Sequence, residues 1–390
     1  MIESRLHVVE VLEASLGGTR RYLENIIEAS AGTDQRMTFI YSGRRADSAF
    51  AHTLALARES GWELHRIDMR RAVGWHDLRD ALALRRVLER LQPDIVHAHS
   101  SKAGALVRLA VLGMRKRPRV LYSPHALAES KIYLIIERIL ARLVPTTFVA
   151  ASESEQAQLR TFGFASPDDI RFAYPSVDIG YFRPRNRDRA RARLGLPIDA
   201  PIVLGVARLV DQKNPLDFLR VVTRVRERHP KLCVMWVGEG DLEERFTAEI
   251  ARLGIEDVVR RMPWTDDIRD AVAACDVFLS TARFESFGFV VAEAMSMERL
   301  AIASAVIGTN DVLDADWAGM TFPAGDVARA ASLVNRVLAK TPNTERSNMA
   351  RASIAKRFSN ARLAAALDSL YTRDAADTRE AVAVADIATG

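Results

Sequence analysis

Short apolar stretches alternate with longer amphipathic stretches along the sequence, and this rhythm runs twice. The first run begins at residue 7, and the second begins near residue 202, after an arginine-rich segment. Short runs rich in β-branched and aromatic residues predict strands, and the amphipathic stretches between them predict helices. Repeated strand–helix–strand units form parallel, doubly wound sheets. The predicted fold class is therefore α/β, with two doubly wound Rossmann-like domains.

The length of the chain agrees with two domains. At 390 residues it exceeds the size, about 250–300 residues, at which one hydrophobic core usually stops growing. We predict Rossmann-like domains over residues 1–180 and 201–360, joined by a basic linker over residues 181–200. Residues 361–373 are predicted to form a C-terminal helix that crosses back. Residues 374–390 lack a core pattern and are predicted to be a disordered tail.

Composition argues against several classes of protein. No segment approaches the roughly 20 uninterrupted apolar residues that would span a bilayer. The N-terminus lacks the basic start and small-residue cleavage site of a secretory signal, so export is not expected. Cys233 and Cys275 lie in apolar stretches without metal-ligand spacing, which predicts buried thiols, a cytoplasmic location and no zinc site.

The net charge of +5 comes from clustered basic residues. Arg115, Lys116, Arg117 and Arg119 lie together, and residues 183–193 hold an arginine at every second position. Such clusters favour anionic partners, although solvated faces explain them equally well. No RNA-binding aromatic motif, zinc-finger spacing or homeodomain-like helix accompanies the charge. A phosphate-rich small molecule or an anionic lipid surface is therefore favoured over nucleic acid.

The strongest local signal is the segment S-T-A-R-F-E-S-F-G-F-V-V-A-E-A-M, residues 280–295. A strand ends at Ser280, Gly288 permits a tight turn, and a helix is predicted to begin just after it. The N–H groups of Phe289 and Val290 would then lie at the positive end of that helix. These N–H groups could therefore bind a phosphate.

Two carboxylates flank this helix start. Glu285 lies in the preceding loop, and Glu293 lies two turns into the helix. Carboxylates accept hydrogen bonds from vicinal hydroxyls, so a sugar and a ribose are natural partners for them. Taken alone, Glu285 fits a loop charge and Glu293 a solvated helix residue equally well.

Two basic residues follow another strand. The segment from Gly205 to Asn214 leaves a strand and enters a helix near Pro215, with Arg208 and Lys213 in the loop. Two cations there suit a diphosphate leaving group, whose charge grows as a glycosidic bond breaks. The chain lacks both a complete dinucleotide fingerprint and a Walker A sequence, which disfavours a dehydrogenase or a P-loop enzyme.

The N-terminal half contributes glycines and histidines. Gly17 and Gly18 follow the first strand and precede a helix predicted to start near residue 19, in a turn that can face phosphates. His125 follows a later strand. We expect His97 and His99 to point to opposite faces of their strand, so a shared metal is not predicted, and one of them is expected to be a buried, hydrogen-bonded histidine.

These motifs occur in a fixed order along about residues 7–365. The order is Gly17-Gly18, His125, Arg208 with Lys213, and Glu285 with Glu293. Together they resemble the retaining family 4 glycosyltransferases, of the kind that builds bacterial capsular or exopolysaccharide repeat units. The resemblance implies a GT-B fold, with the two domains facing across a cleft. It also implies a hexosyltransferase-type activity, an acceptor-side N-terminal domain, and a C-terminal domain that binds a nucleoside-diphosphate sugar.

The resemblance also implies roles for single residues. Arg208 and Lys213 would hold the diphosphate, Glu293 the ribose hydroxyls, and Glu285 the hydroxyls of the transferred sugar. His125 would touch the donor sugar near its reactive face. Gly18 would lie against the phosphates. The anomeric configuration would be retained through front-face attack, in which the leaving phosphate assists deprotonation of the acceptor.

Members of this family need no metal, so no cofactor is expected beyond the sugar nucleotide itself. Asp314 and Asp316 resemble the metal-binding carboxylates of the other glycosyltransferase fold, but they lie in a connecting segment and no metal role is predicted.

The sequence departs from the family pattern in two loops. Glu298, Arg299 and Leu300 stand where members usually have Gly-x-Pro, and Ile307, Gly308 and Asp311 replace Gly-Gly and Glu. Two alternatives therefore stay open. They are a GT-B-fold sugar-nucleotide epimerase or phosphorylase, and a catalytically silent sugar-nucleotide-binding protein. The sequence does not choose between a UDP-sugar and a GDP-sugar.

Residues 127–144 form a strongly apolar helical pattern that contains Lys131, Arg138 and Arg142. The basic cluster at residues 115–119 lies just before it. This combination predicts a peripheral contact with the anionic inner face of the cytoplasmic membrane, where a polyprenyl-diphosphate-linked acceptor would be met. The alternative is that the helix packs in the N-terminal core, as apolar stripes usually do.

Overall fold

The computed structural model describes residues 5–125, 131–163, 165–265, 267–339 and 344–372. The chain divides into two compact units. Residues 1–176 and 360–390 form the first unit, and residues 177–359 form the second. The first unit is therefore built from two separate stretches of chain.

A seven-stranded parallel sheet forms the centre of the first unit, in the order β3-β2-β1-β4-β5-β6-β7. Its strands are β1 (His7–Leu12), β2 (Arg36–Tyr41), β3 (Glu63–Arg66), β4 (Ile95–His99), β5 (Arg119–Ser123), β6 (Thr146–Ala150) and β7 (Ile170–Phe172). The strand order reverses between the paired strands β1 and β4. Ligands of open α/β sheets bind at the carboxyl ends of strands at such a point.

Six helices connect these strands: α1 (Gly17–Ala29), α2 (Phe50–Glu59), α3 (His76–Leu91), α4 (Ser101–Val111), α5 (Lys131–Leu143) and α6 (Glu153–Phe162). Every residue of β1 and of β4 is buried, because a parallel sheet in an α/β unit is covered on both faces. Polar side chains within these two strands therefore lie inside the unit.

The second unit has a six-stranded parallel sheet in the order β10-β9-β8-β11-β12-β13. Its strands are β8 (Ile202–Val206), β9 (Cys233–Val237), β10 (Val259–Met262), β11 (Val277–Ser280), β12 (Leu300–Ser304) and β13 (Thr321–Phe322). Its helices are α7 (Arg187–Arg193), α8 (Pro215–Arg226), α9 (Glu243–Leu253), α10 (Arg269–Ala274), α11 (Phe289–Ser296), α12 (Thr309–Val312), α13 (Val327–Leu338) and α14 (Thr344–Arg357). Two doubly wound parallel sheets confirm the predicted fold class.

The basic segment predicted as a linker is part of the second unit. The middle of this segment forms α7, and Arg191 is buried there. The Arg191 guanidinium donates to the carbonyl oxygens of Ala274 and Ala200 at 2.9 Å each and to the Asp276 carboxylate at 2.8 Å. The Asp276 carboxylate neutralises its charge and the carbonyl oxygens hold it in place, so this arginine is not available to an anionic partner.

The last described helix, α15 (Asn360–Thr372), belongs to the first unit and packs against α1. Arg119 holds its C-terminal end by donating to the carbonyl oxygens of Leu370 and Tyr371, at 3.0 and 3.3 Å. The predicted disordered tail lies outside the described residues. Within the described residues, no helix combines the length and apolarity needed to cross a bilayer.

Candidate functional site

Loops after two neighbouring strands of the second unit bring Lys213 and Glu285 together. Lys213 ends a short 3₁₀ turn after β8, and Glu285 lies in the loop after the adjacent strand β11. The Lys213 Nζ and Glu285 Oε1 atoms are 2.5 Å apart, and the side chains are only 19% and 17% exposed. The sequence singled out both residues, but it did not predict that they form an ion pair.

This ion pair borders a small pocket at the start of α11. The lining residues include Lys213, Glu285, Gly288 and Val290. Gly288 adopts φ +95°, which favours glycine, and α11 begins at the next residue as predicted. The first N–H groups of a helix lack partners within that helix and carry partial positive charge. A lysine, a carboxylate and a helix N-terminus therefore surround one pocket.

Two predicted site residues, Glu293 and Arg208, do not line this pocket. Glu293 is fully buried in α11, which contradicts the alternative that it is a solvated helix residue. Arg208 follows β8 but its side chain is exposed. Among the described residues, Val290 and Val291, rather than Glu293 and Arg208, line the pocket.

One of the two loops that depart from the family pattern packs closely against the pocket loop. Gly308 has φ +81°, and a Cβ atom built there would lie 2.5 Å from the Phe287 backbone nitrogen. No larger residue fits without moving the chain next to Gly288. The divergent loop therefore keeps the glycine that this contact requires.

The other divergent loop carries backbone strain. Glu298 follows the end of α11 with φ +61°, a left-handed conformation that costs a non-glycine residue roughly 1–2 kcal/mol. We expect Glu298→Gly to raise the free energy of unfolding by about 1 kcal/mol, since glycine adopts this conformation freely but loses more chain entropy on folding. Urea denaturation measures the change. Glu298→Ala is the matched control, because it removes the same charge but keeps Cβ, and an equal gain in both variants would refute the strain.

Asp314 and Asp316 do not form a carboxylate pair. Asp314 Oδ2 lies 2.5 Å from Arg357 Nη1, and Asp316 is exposed. The arginine therefore already neutralises the carboxylate that a cation would need.

The first unit holds a second group of polar residues, inside its sheet. His97 and His99 lie on the same side of β4, with ring centroids 4.2 Å apart. The expectation that they point to opposite faces was wrong, because residues two apart on a strand share a face. Both are fully buried beside Glu10 of the neighbouring strand β1. Sequence reasoning missed Glu10, although a carboxylate inside the apolar run HVVEVL was the available signal.

Hydrogen bonds link this buried group to a predicted site residue. His99 Nε2 lies 2.6 Å from Glu10 Oε2, and His99 Nδ1 lies 3.1 Å from His125 Nε2. His125 follows β5 with φ +52°, and its ring meets the edge of Tyr22 at a centroid distance of 4.8 Å. Glu10, His97 and His99 are close enough to share an ion, but their atoms already bond to one another and to neighbours.

Burial sets the charge states in this group. Burial, aided by the nearby His97, lowers the pKa of His99 to about 4. Burial also lowers the pKa of His125 well below its usual value. For Glu10, burial alone would raise the pKa, but His97 and His99 outweigh it and hold that pKa well below the usual range. At neutral pH Glu10 is therefore ionised, and His99 and His125 are neutral.

These shifts predict acid-sensitive stability. His99 titrates near 6.5 in the unfolded chain and at about 4 in the folded protein, so the unfolded state binds more protons between these values. The free energy of unfolding should fall as the pH drops from about 6.5 to about 4, by about 3 kcal/mol from His99 alone. Urea denaturation across this range measures the slope. His99→Gln should flatten it and His52→Gln, at an exposed position, should not; equal slopes in all three proteins would contradict the assignment.

Gly17 and Gly18 lie at the start of α1, which begins at Gly17 rather than near residue 19. The Gly17 N–H donates to Asp47 Oδ2 at 2.8 Å, and Asp47 also pairs with Arg20. Gly18 is exposed. Gly18 is therefore the more accessible of the two glycines.

Two family models match the chain. The model described as Glycosyltransferase Family 4 matches residues 16–181, and the model described as Glycosyl transferases group 1 matches residues 186–356. A D-inositol 3-phosphate glycosyltransferase of Saccharomonospora viridis is 30% identical over 308 residues, which cover 71% of this chain and 69% of that protein. For three further relatives of this kind, the match covers 59–66% of their length.

Solved structures share the whole fold. The Anabaena protein HepE, in complex with UDP and glucose, has a TM-score of 0.80 at 19% identity, covering 94% of this chain and 99% of that one. WaaG, a glycosyltransferase involved in lipopolysaccharide biosynthesis, has a TM-score of 0.72 at 15% identity, covering 95% and 100%. The fold is GT-B, and the chain belongs to the family 4 glycosyltransferases.

Proposed function

We propose that the protein transfers a sugar, with retention of anomeric configuration, from a nucleoside-diphosphate sugar to a glycan or lipid-carrier-linked acceptor in surface polysaccharide synthesis. The observation that carries this proposal is the ion pair of Lys213 and Glu285 beside the N-terminus of α11. A diphosphate needs the cation and the helix end, and a sugar needs the carboxylate. No metal is needed in this proposal, because Lys213, Arg208 and the helix N-terminus supply the positive charge.

The ion pair also prepares the pocket before the donor binds. Each side chain holds the other in place, so neither must be ordered when the leaving diphosphate gains charge. Arg208 is exposed and can turn onto a bound diphosphate. The ribose contact proposed for Glu293 requires the nucleotide to reach the second turn of α11.

The nature of the donor and the stereochemistry can be tested together. Purified protein is incubated with a panel of labelled UDP- and GDP-sugars, with and without a lipid-linked acceptor, and the anomeric configuration of the product is read by NMR. We expect transfer only with acceptor and with retained configuration; UDP bound to HepE supports a uridine donor. Conversion of the donor without acceptor would indicate an epimerase, an inverted product would refute retention, and binding without turnover would indicate a silent binding protein.

A second candidate acceptor follows from the relatives. Several are D-inositol 3-phosphate glycosyltransferases at 29–30% identity. Their acceptor is a small phosphorylated cyclitol rather than a lipid-linked glycan. Offering D-inositol 3-phosphate in the same assay decides between the two, since a chain specialised for lipid-linked acceptors should leave it unused.

The proposal includes a peripheral contact with the cytoplasmic face of an anionic membrane. Helix α5 exposes Ile135, Ile139 and Leu143, each more than half exposed, next to the exposed Arg138 and Arg142. This pattern is typical of a helix that lies in a membrane interface. The alternative, that α5 packs in the N-terminal core, holds for its opposite face, which is buried against α4.

Neighbouring residues extend this surface. Trp75, just before α3, is 78% exposed, and Leu78 within α3 is also exposed. A pocket of about 200 Å³ between α3, α4 and α5 is lined by Val73 on one side and Ile139 on the other, so the two apolar regions adjoin. An apolar surface with basic residues beside it fits a leaflet of anionic lipids.

Vesicle sedimentation tests the contact. Replacing Arg115, Lys116 and Arg117 together by serine should weaken binding to anionic vesicles roughly 100-fold at low salt, since each basic residue near such a surface contributes about 1 kcal/mol. Arg119 is kept, because it holds the end of α15.

The matched control replaces three exposed basic residues of the second unit, Arg224, Arg228 and Lys231, by serine. It changes the net charge equally and should bind like the unaltered protein. Equal losses in both variants, or equal binding to neutral and anionic vesicles, would end the proposal of an oriented contact.

A further inference from the structure

Glu10, His99 and His125 form one continuous hydrogen-bonded chain in the first unit. The two links measure 2.6 Å from Glu10 Oε2 to His99 Nε2 and 3.1 Å from His99 Nδ1 to His125 Nε2. Glu10 and His99 are fully buried, whereas His125 is partly exposed. The hydrogen bonds thus connect the interior of the sheet to a residue at the carboxyl end of β5.

The chemistry of Glu10 dictates where the protons lie. An ionised carboxylate only accepts hydrogen bonds, so His99 must donate from Nε2. A neutral imidazole has one donor and one acceptor nitrogen, so His99 Nδ1 accepts. His125 must then donate from Nε2, which leaves the lone pair of His125 on Nδ1.

Further bonds hold Glu10 in place. The Tyr371 hydroxyl donates to Glu10 Oε1 at 2.7 Å. His97 Nδ1 lies 3.3 Å from Glu10 Oε2, and its Nε2 lies 2.9 Å from Ser123 Oγ. Tyr371 comes from α15, whereas the other members come from the first sheet. The C-terminal helix of the first unit therefore completes the group.

We propose that Glu10 and His99 are positioning residues that fix His125 in the Nε2–H tautomer, with Tyr371 of α15 holding Glu10 in register. His125 then accepts a hydrogen bond at Nδ1 from a hydroxyl of a bound sugar and does not donate one there. This deepens the sugar-contacting role proposed for His125 and rests on it. The tautomer itself is a property of the protein without substrate.

Two-dimensional ¹H–¹⁵N NMR of histidine side chains tests the tautomer directly. The protein is labelled with ¹⁵N-histidine, and the His125 signals are assigned by their loss in His125→Gln. We expect a protonated, pyrrole-type Nε2 and an unprotonated, pyridine-type Nδ1 at neutral pH. A proton on Nδ1 of His125 in the unaltered protein would overturn the proposal.

Glu10→Gln tests whether Glu10 determines the tautomer of His125. A glutamine amide can donate to His99, which frees both histidines to reverse their tautomers, so the His125 signals should shift toward the Nδ1–H form. Glu155→Gln is the matched control, because Glu155 is a buried carboxylate of the same unit that accepts from the Ala151 N–H, outside the chain of histidines. If the His125 signals stay unchanged in Glu10→Gln, Glu10 does not determine the His125 tautomer through His99, and the proposal is refuted.

Tyr371→Phe keeps the ring and removes only the hydroxyl, so it provides a test if Glu10→Gln does not fold. Glu10 can still only accept in this variant, so we expect His125 to keep the Nε2–H form, with a broadened signal because Glu10 is less firmly held. A signal identical to that of the unaltered protein would remove Tyr371 from the proposal, and conversion to the Nδ1–H form would refute the control by Glu10. With a working donor and acceptor, Glu10→Gln should lower kcat/KM by on the order of 10-fold to 100-fold. If the tautomer shifts in Glu10→Gln but the unaltered protein transfers no sugar, the positioning role of Glu10 and His99 is supported and the proposed function is refuted. The two failures are therefore distinguishable.

Discussion

Lys213→Ala should lower turnover by about 100-fold or more while leaving the protein folded, because the lost charge acts mainly on the leaving diphosphate. Among the described residues that line the pocket beside α11, Lys213 is the one with a cationic side chain. Its effect should appear in kcat more than in KM, since the charge on the diphosphate is greatest in the transition state. Steady-state kinetics with the donor found in the nucleotide-sugar panel measures both constants.

Two variants sharpen this prediction. Lys231→Ala removes an equally charged but exposed residue before β9, away from the pocket, and should leave kcat unchanged. Glu285→Gln breaks the same ion pair while keeping the lysine, so it separates loss of the cation from loss of the pair. Turnover within a few-fold of normal in Lys213→Ala would exclude the diphosphate role, whatever Glu285→Gln does.

Arg108→Met should destabilise the protein by about 3–5 kcal/mol, because it leaves the Glu137 carboxylate buried without its partner. Arg108 Nη2 lies 2.7 Å from Glu137 Oε2, and both side chains are almost completely buried. Arg108 also donates to the Gly104 carbonyl oxygen at 2.9 Å and packs over the Tyr122 ring. Urea denaturation gives the free energy of unfolding.

The double variant Arg108→Met with Glu137→Leu is the control. Removing both charges removes the penalty of an unpaired carboxylate, so much of the stability should return. This pair joins α4 to α5, so the single variant should also disturb the exposed face of α5. A double variant that is as unstable as the single one would show that packing around Arg108, rather than charge, is responsible.

The sequence predicted the features that depend on local pattern. The two strand–helix rhythms and the helix start after Gly288 follow from residues close together in the chain, and the structure confirms both. The chemistry assigned to Lys213 and Glu285 stays a prediction. Strand order could not be predicted in the same way. The ion pair of Lys213 and Glu285 exists because β8 and β11 are neighbours in the sheet, although β9 and β10 separate them in sequence.

The hydrogen-bonded group of Glu10, His99 and His125 could not be predicted, for a different reason. Glu10 and His99 meet because β1 pairs with β4, and Tyr371 reaches them from the far end of the described chain. Each residue alone has an ordinary explanation, and only the pairing register shows that they form one group. The same-face placement of His97 and His99, by contrast, follows from the period of a strand and was available from the sequence.

The first unit is built from two separate stretches of chain, and this affects when it can be completed during synthesis on the ribosome. Helix α15 emerges only after the whole second unit, residues 177–359, has been made. At about 5–20 residues per second, the nascent first sheet waits on the order of ten to forty seconds for the helix that carries Tyr371. During this interval the surface of α1 that α15 will cover is open, and Glu10 has only its histidine partners. The unit that is started first is therefore finished last.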